Sequence, residues 1–118
     1  MAKVILIVDD DLNILDTARD ILEDAGYTVY SAHNGSAALI ELKAVPVDLI
    51  MLDFNLPDIT GVGLAGEAKA LRPGAAIVLM TGEANVDLGQ AKSTISALLT
   101  KPVNPAELLR VIQSLVDS

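Results

Sequence analysis

The sequence lacks cysteine and tryptophan, and it contains only one phenylalanine and two tyrosines in 118 residues. Without cysteine, the chain can form neither disulfide bonds nor thiolate metal sites. With so few aromatic residues, its core must be built from aliphatic side chains. Basic residues are scarce too: eight Lys and Arg face sixteen Asp and Glu, and the net charge of −8 disfavours direct binding to nucleic acid or to an anionic membrane.

Long hydrophobic runs are also missing. The apolar run before Asp9 covers only residues 4–8, which is too short for the core of a signal peptide and far too short for a membrane span. Hydrophobic residues nevertheless make up 52% of the chain and charged residues 20%, so a packed core is expected. We therefore predict a single domain over residues 1–118, located in the cytoplasm.

Short apolar runs alternate with helix-like segments along the chain. The runs at 4–8, 49–52 and 76–80 are apolar on both faces, as in strands buried inside a parallel sheet, whereas those at 28–30 and 98–100 are more mixed and belong nearer the edges. Apolar periodicity, with Gly, Pro or Asn at the boundaries, predicts helices at 12–25, 36–43, 62–71, 84–93 and 105–116. This alternation predicts an α/β domain with a five-stranded parallel sheet, helices on both faces and right-handed crossovers.

The residues that end these runs decide the function, because such sheets bind ligands outside the carboxyl ends of their strands. They are polar in four of the five cases: Asp9, Asp10 and Asp11, then Asp53, Thr81 and Lys101. A single Asp could be only a helix cap, as for Asp11, or a turn residue, as for Asp53. Several carboxylates at one edge repel one another unless a cation is present, and Mg²⁺ suits them because it also leaves sites for phosphate oxygens.

At these positions the chain resembles the receiver domain of two-component response regulators. The resemblance is carried, in order and over the whole chain, by Ile7-Val8-Asp9-Asp10, by Asp53 with Asn55, Pro57 and Gly61, by Met80-Thr81-Gly82, and by Lys101-Pro102. It implies a flavodoxin-like, doubly wound sheet with the strand order 2-1-3-4-5.

The resemblance also implies a role for each matching residue. Asp53 would be the phosphoacceptor, and Mg²⁺ (alternatively Mn²⁺) would be held by Asp9, Asp10, Asp53 and the backbone carbonyl of Asn55. Lys101 and Thr81 would contact the phosphoryl group, Gly82 would leave space for it, and Lys101-Pro102 would be a cis peptide. The side chains of Asn55 and Glu83 would tune dephosphorylation.

Implied partners are a histidine kinase or a histidine phosphotransfer protein, a downstream protein that the sequence does not identify, and a phosphorylation-dependent dimer. The chain would not be an enzyme with a separate substrate, although it could catalyse its own dephosphorylation. Three features depart from the family pattern. Leu98 replaces an aromatic residue that moves with the phosphorylation state, and Val103 stands where Phe is more common. The segment from Thr81 to Lys101 is short, with Ser93-Thr94-Ile95-Ser96 in place of the usual Ala-Gly-Ala stretch. We expect Leu98 to stay packed in either state, so that coupling runs instead through the loop at 82–86.

Three alternatives share parts of this pattern. Residues 61–66 match the dinucleotide-binding fingerprint, but they follow the third strand instead of opening the first strand-to-helix turn. Asp9-Asp10-Asp11 after an apolar strand also resembles haloacid-dehalogenase-like phosphatases, with Thr81 and Lys101 as later members; that assignment leaves Asp53 without a role, and no acidic pair follows Lys101. A degenerate receiver acting only as a binding module is the third, although every acceptor and metal position is filled.

Overall fold

A computed structural model describes residues 2–82 and 88–116 of the chain, without the side chains of residues 90 and 91. Its strands are β1 (Val4–Val8), β2 (Thr28–Ala32), β3 (Leu49–Asp53), β4 (Ala76–Thr81) and β5 (Ala97–Thr100). Its α-helices are α1 (Leu12–Asp24), α2 (Gly35–Ala44), α3 (Gly61–Leu71) and α4 (Pro105–Val116). A short 3₁₀ helix (Gly89–Ser93) precedes β5.

All five strands are parallel and form one sheet in the order β2-β1-β3-β4-β5, as predicted. The interior strands β1 and β3 are buried on both faces, because their successive side chains point alternately into two separate aliphatic cores. One core, which includes Ile5, Ile7 and Met51, is covered by α1 and α4. The other, which includes Leu6 and Leu52, is covered by α2 and α3.

Local sequence signals set the boundaries of the helices that follow β1, β2 and β3. Asp11 caps α1 by accepting a hydrogen bond from the backbone N–H of Asn13. Gly26, with φ of 98°, follows α1 in the left-handed conformation that favours glycine, which confirms it as the stop signal. Asn34 and Thr60 cap α2 and α3 in the same way as Asp11 caps α1.

Some predicted boundaries need correction. β2 continues to Ala32, because Ser31 and Ala32 pair with the end of β1. Of the helix predicted at 84–93, residues 84–87 lie outside the described residues, and the part from Gly89 to Ser93 is a 3₁₀ helix.

The expectation that Leu98 stays packed is wrong. Leu98 is 38% exposed, whereas its neighbour Leu99 is 2% exposed. The reason is the alternation of side chains along β5, which turns Leu99 towards the core and Leu98 away from it.

Within residues 2–82 and 88–116, no helix has the length and apolar character needed to cross a membrane.

Candidate functional site

The carboxyl ends of four strands bring acidic, hydroxyl and basic residues to one edge of the sheet. Asp9 and Asp10 directly follow β1, Asp53 ends β3, Thr81 ends β4, and Lys101 directly follows β5. Asp9 is fully buried, Asp53 is 8% exposed and Thr81 is 1% exposed, whereas Asp10 is exposed. Polar groups buried at the end of a hydrophobic sheet need hydrogen-bond partners or opposite charges, because burying them unpaired costs free energy.

Three carboxylates form an acidic cluster at this edge. Oxygen atoms from Asp9, Asp10 and Asp53 all lie within 4.8 Å of one another. At that separation their negative charges repel, and a set of hard oxygen donors favours a divalent cation over other ligands. The residues present therefore fit a divalent metal ion.

Lys101 supplies the positive charge that the described structure places inside this cluster. Its Nζ lies 2.8 Å from Oδ2 of Asp9, to which it donates a hydrogen bond, and 3.2 Å from Oδ1 of Asp53. Burial by itself would lower the pKa of Lys101, but the hydrogen bond to Asp9 and the charges of Asp9 and Asp53 outweigh burial and raise that pKa. The ammonium group therefore stays charged between the two carboxylates.

At Asp53, the effect of burial on the pKa outweighs the effect of the neighbouring charge of Lys101. Burial raises the pKa of its carboxyl group above the ordinary value, and repulsion from Asp9 adds to the rise, although the charge of Lys101 offsets part of it. A carboxylate that is held close to a cation but imperfectly stabilised in its ionised form is well placed to react with an electrophile.

The neighbouring backbone fixes the Asp9 carboxylate. Its Oδ1 accepts a hydrogen bond of 3.0 Å from the N–H of Asp11, while its own backbone N–H donates to the carbonyl of Ala32. Asp11 serves as the cap of α1, which is the structural role that its position allows. The three consecutive aspartates thus have different environments: buried, exposed and helix-capping.

The loop at 54–60 follows Asp53 directly and carries Asn55; we call it the acceptor loop, after the role predicted for Asp53. Asn55 forms an isolated antiparallel bridge with Thr60, and the N–H of Gly61 donates to the carbonyl of Phe54. Gly61 permits this tight closure, because a Cβ atom there would lie 2.5 Å from the carbonyl oxygen of Asp53. The glycine thus opens α3 beside the acidic cluster, and the fingerprint-like residues 61–66 lie in α3, away from the first strand-to-helix turn.

The last two strands hold the remaining predicted residues. The N–H of Lys101 donates a 2.7 Å hydrogen bond to the carbonyl of Thr81, and Lys101-Pro102 is a cis peptide, as the resemblance implied. A Cβ atom on Gly82 would have no neighbour within 4 Å among the described residues. Glu83 lies outside the described residues.

Two features of this region have no simple signal in the sequence. Asp58, in the acceptor loop, binds the amino-terminal end of α2, and nothing local in the sequence indicates that contact. A cavity of about 480 Å³ lies between α1 and the start of α4 beside Lys101, and its lining includes Ile14, Val103 and Leu108. Val103 stands where Phe is more common in the family that the chain resembles, but the sequence alone does not indicate a cavity at that position.

Comparison with known proteins agrees with this geometry. The family model of the response regulator receiver domain matches residues 5–113. An uncharacterised 14.6 kDa protein of Leptolyngbya boryana is 36% identical over 113 residues, 92% of this chain and 86% of that protein. The transcriptional regulatory protein GlrR of Escherichia coli is 27% identical over 96% of this chain, which spans only 26% of the length of GlrR.

Solved structures give the same result. A CheY-like receiver domain protein from Methanospirillum hungatei has 37% identity and a TM-score of 0.93, covering 99% of this chain and 95% of that one. TrrA of Thermotoga maritima in complex with Mg²⁺-BeF has 31% identity and a TM-score of 0.87, covering 96% and 98%. A Burkholderia pseudomallei response regulator with a phosphorylated aspartic acid and a calcium ion has 31% identity and a TM-score of 0.86, covering 98% and 69%.

Proposed function

The chain belongs to the response regulator receiver domain family and is a phosphoacceptor in two-component signalling, and we propose that Asp53 is the residue that accepts the phosphoryl group. The observation that carries the proposal is the convergence on Asp53 of a carboxylate cluster and the Lys101 ammonium, 3.2 Å away. Asp53 also retains 8% exposure, whereas Asp9 is fully buried. Of these two, Asp53 is therefore the carboxylate that an incoming phosphoryl group can reach.

The proposed reaction is a nucleophilic displacement at phosphorus. An oxygen of the Asp53 carboxylate attacks the phosphorus of a phosphohistidine, a P–O bond forms, the P–N bond breaks, and the imidazole nitrogen keeps the electron pair. Lys101 lies where its positive charge can stabilise the developing negative charge on the phosphoryl oxygens. The Thr81 hydroxyl, at the end of the adjacent strand, would donate a hydrogen bond to one of those oxygens.

We propose Mg²⁺ as the resident cation, with Mn²⁺ as an alternative. Asp9, Asp10 and Asp53 would hold it through carboxylate oxygens, and Asn55 through its backbone carbonyl; the carboxylates support this by their mutual distances within 4.8 Å. When bound, the ion supplies positive charge that neutralises the acidic cluster and the phosphoryl oxygens. Asp9 contributes a carboxylate already oriented by Asp11 and Lys101.

Loss of the phosphoryl group would occur by hydrolysis at the same site. The exposed side chain of Asn55, two residues after the acceptor, would orient a water molecule for attack on the acyl phosphate, and Glu83 would assist it. As a receiver domain, the chain acts as a phosphoryl acceptor and not as an enzyme that turns over a separate substrate.

The partners follow from this chemistry. The donor would be a histidine kinase or a histidine phosphotransfer protein, and the phosphorylated form would act on a downstream protein, with a phosphorylation-dependent dimer as one form of output. With a net charge of −8, neither nucleic acid nor a membrane is proposed as a direct partner. We further propose that residues 1–118 act as one receiver unit in the cytoplasm.

Labelling by a small phosphoryl donor tests the proposal. Wild type, Asp53→Asn and Asp48→Asn are incubated with acetyl phosphate in Mg²⁺ or in EDTA, and the intact masses are compared. Asp48 is a matched control, because it immediately precedes β3 whereas Asp53 ends it. We expect wild type and Asp48→Asn to gain one phosphoryl group only with Mg²⁺, and Asp53→Asn to gain none. Equal labelling of Asp53→Asn would contradict the assignment.

A further inference from the structure

The acceptor loop is held at both of its ends and at its tip. At its start, the N–H of Phe54 donates a 2.7 Å hydrogen bond to the carbonyl of Met80, which ties the loop to β4. At its end, the bridge between Asn55 and Thr60 closes the loop. These contacts fix where the loop leaves β3 and where it enters α3, but its tip lies beyond them.

The tip is fixed by Asp58, which reaches across to α2. Its Oδ1 accepts a 2.8 Å hydrogen bond from the N–H of Gly35, and its Oδ2 accepts bonds of 3.0 and 2.9 Å from the N–H and hydroxyl of Ser36. The carboxylate charge lies at the positive end of the helix macrodipole, an arrangement that favours its ionised form. Consistent with this, the N–H groups of Gly35 and Ser36 lower the pKa of Asp58.

The first turn of α2 and the tip of the acceptor loop approach each other closely at Gly35. A Cβ atom on Gly35 would collide with the side chain of Ile59, and it would lie 3.1 Å from Oδ1 of Asp58. Glycine at position 35 therefore lets the loop tip lie directly against the first turn of α2.

Capping of α2 alone does not account for this contact. α2 has its own cap, Asn34, whose Oδ1 accepts a 2.8 Å hydrogen bond from the N–H of Ala37. Asp58 is 23 residues away from Gly35 and belongs to the loop that carries Asn55. What Asp58 adds is a connection between that loop and a rigid helix.

We infer that Asp58 is a positioning residue for the metal site, because its bonds to α2 restrict the movement of the acceptor loop, which carries the Asn55 carbonyl. The inference rests on the proposed function, in which that carbonyl is a metal ligand. Asp53 ends β3, and Asp9 directly follows β1 with its N–H bonded to Ala32 of β2, so the sheet fixes the backbone of both residues. The Asn55 carbonyl instead lies on a loop, three residues before Asp58.

The expected effect is on metal affinity. Mg²⁺ requires near-ideal octahedral geometry, so a ligand that occupies its position only part of the time weakens binding in proportion. Releasing the tip should therefore raise the dissociation constant for Mg²⁺ by about tenfold, the lower end of the range for residues that orient metal ligands.

Mg²⁺ titration by calorimetry of four proteins tests this inference: wild type, Asp58→Ala, Asp58→Asn and Asn34→Ala. Asn34→Ala is the matched control, because it removes a cap of α2 without touching the acceptor loop. Thermal unfolding in EDTA is measured in parallel. We expect weaker Mg²⁺ binding by Asp58→Ala, an intermediate effect for Asp58→Asn, which keeps one acceptor oxygen, and unchanged affinity for Asn34→Ala despite its lower Tm.

Two results would overturn the inference while leaving the proposed function intact. One is an Asp58→Ala dissociation constant equal to that of wild type. The other is an equal loss of affinity in Asn34→Ala, which would mean that the stability of α2, and not the anchoring of the loop, sets the affinity. Failure of the wild-type protein itself to bind Mg²⁺ would instead contradict the proposed function, and the inference with it.

Discussion

Lys101 donates a 2.8 Å hydrogen bond to Asp9, although 92 positions separate the two residues in the chain. Their strands β1 and β5 are not neighbours in the sheet, because β3 and β4 lie between them. With strands about 4.8 Å apart, β1 and β5 are about 14 Å from each other, so a long side chain must lie across the strand ends to make the contact. This ion pair therefore joins the ends of the first and last strands next to Asp53.

Removing Lys101 should destabilise the metal-free protein. Asp9 is fully buried, and Lys101→Ala would leave its carboxylate beside that of Asp53 without the cation. We expect the free energy of unfolding in EDTA to fall by about 2 kcal/mol, less than for a fully buried pair because Lys101 is partly exposed. Urea unfolding of Lys101→Ala measures this, with the exposed Lys92→Ala as a control expected to match wild type. Equal stability of Lys101→Ala and wild type would show that the ion pair contributes nothing.

Asp10 should contribute to the stability of the metal-bound form but not to that of the metal-free form. Asp10 is exposed and adds a like charge to the cluster, so Asp10→Ala without metal should be at least as stable as wild type. In Mg²⁺ at ten times its dissociation constant, wild type should gain about 1.4 kcal/mol and the variant almost nothing. Thermal unfolding with and without Mg²⁺ measures both quantities. The same gain in both proteins would contradict a metal site that includes Asp10.

The contact between Asp58 and α2 should depend on pH in a defined direction. The N–H groups of Gly35 and Ser36 lower the pKa of Asp58 below its ordinary value of 3.8. A carboxyl group whose pKa is lower in the folded state stabilises the fold above its unfolded pKa, and that stabilisation is lost as the pH falls through the folded value. In EDTA, the stability advantage of wild type over Asp58→Asn should therefore be full at about pH 6 and shrink below about pH 4.

Urea unfolding of both proteins across that range provides the measurement. A difference that stays constant, or grows as the pH falls, would contradict the account of Asp58 as an ionised acceptor.

The cavity between α1 and α4 should accept a larger side chain. Val103 lines this space of about 480 Å³, so Val103→Phe can place a ring in it and should raise the free energy of unfolding by about 1 kcal/mol. Val111→Phe is the control, because Val111 is half-buried on α4 but is not among the residues that line the cavity. Chemical denaturation compares the two variants with wild type. A loss of stability in Val103→Phe as large as that in Val111→Phe would mean that the cavity cannot accommodate a ring.

The parts of the fold that followed from the sequence are those with a local physical signal. The runs that became β1 and β3 are apolar at successive positions because both faces of those strands are buried. Asp9 and Asp53 could be assigned to one edge because parallel strands end on the same side of a sheet. These features can be predicted without knowing which residues far apart in the chain are in contact.

The parts that did not follow depend on partners far along the chain. Ser31 and Ala32 join β2 because the end of β1 pairs with them, although neither residue has a strong preference for strands. Leu98 and Leu99 are identical in type, so the pattern alone could not say which would face the core. The bond from Asp58 to Gly35 arises only when the acceptor loop meets α2.

The chemical identity and position of the phosphoryl linkage decide whether Asp53 is the phosphoacceptor. Wild-type protein labelled by acetyl phosphate in Mg²⁺ is treated with hydroxylamine, which converts an acyl phosphate into a hydroxamate, and the modified residue is located by peptide mass spectrometry. We expect loss of the phosphoryl group and a hydroxamate on Asp53. A phosphoryl group that resists hydroxylamine, or a hydroxamate on Asp10 with Asp53 unmodified, would contradict the assignment of Asp53 as the phosphoacceptor.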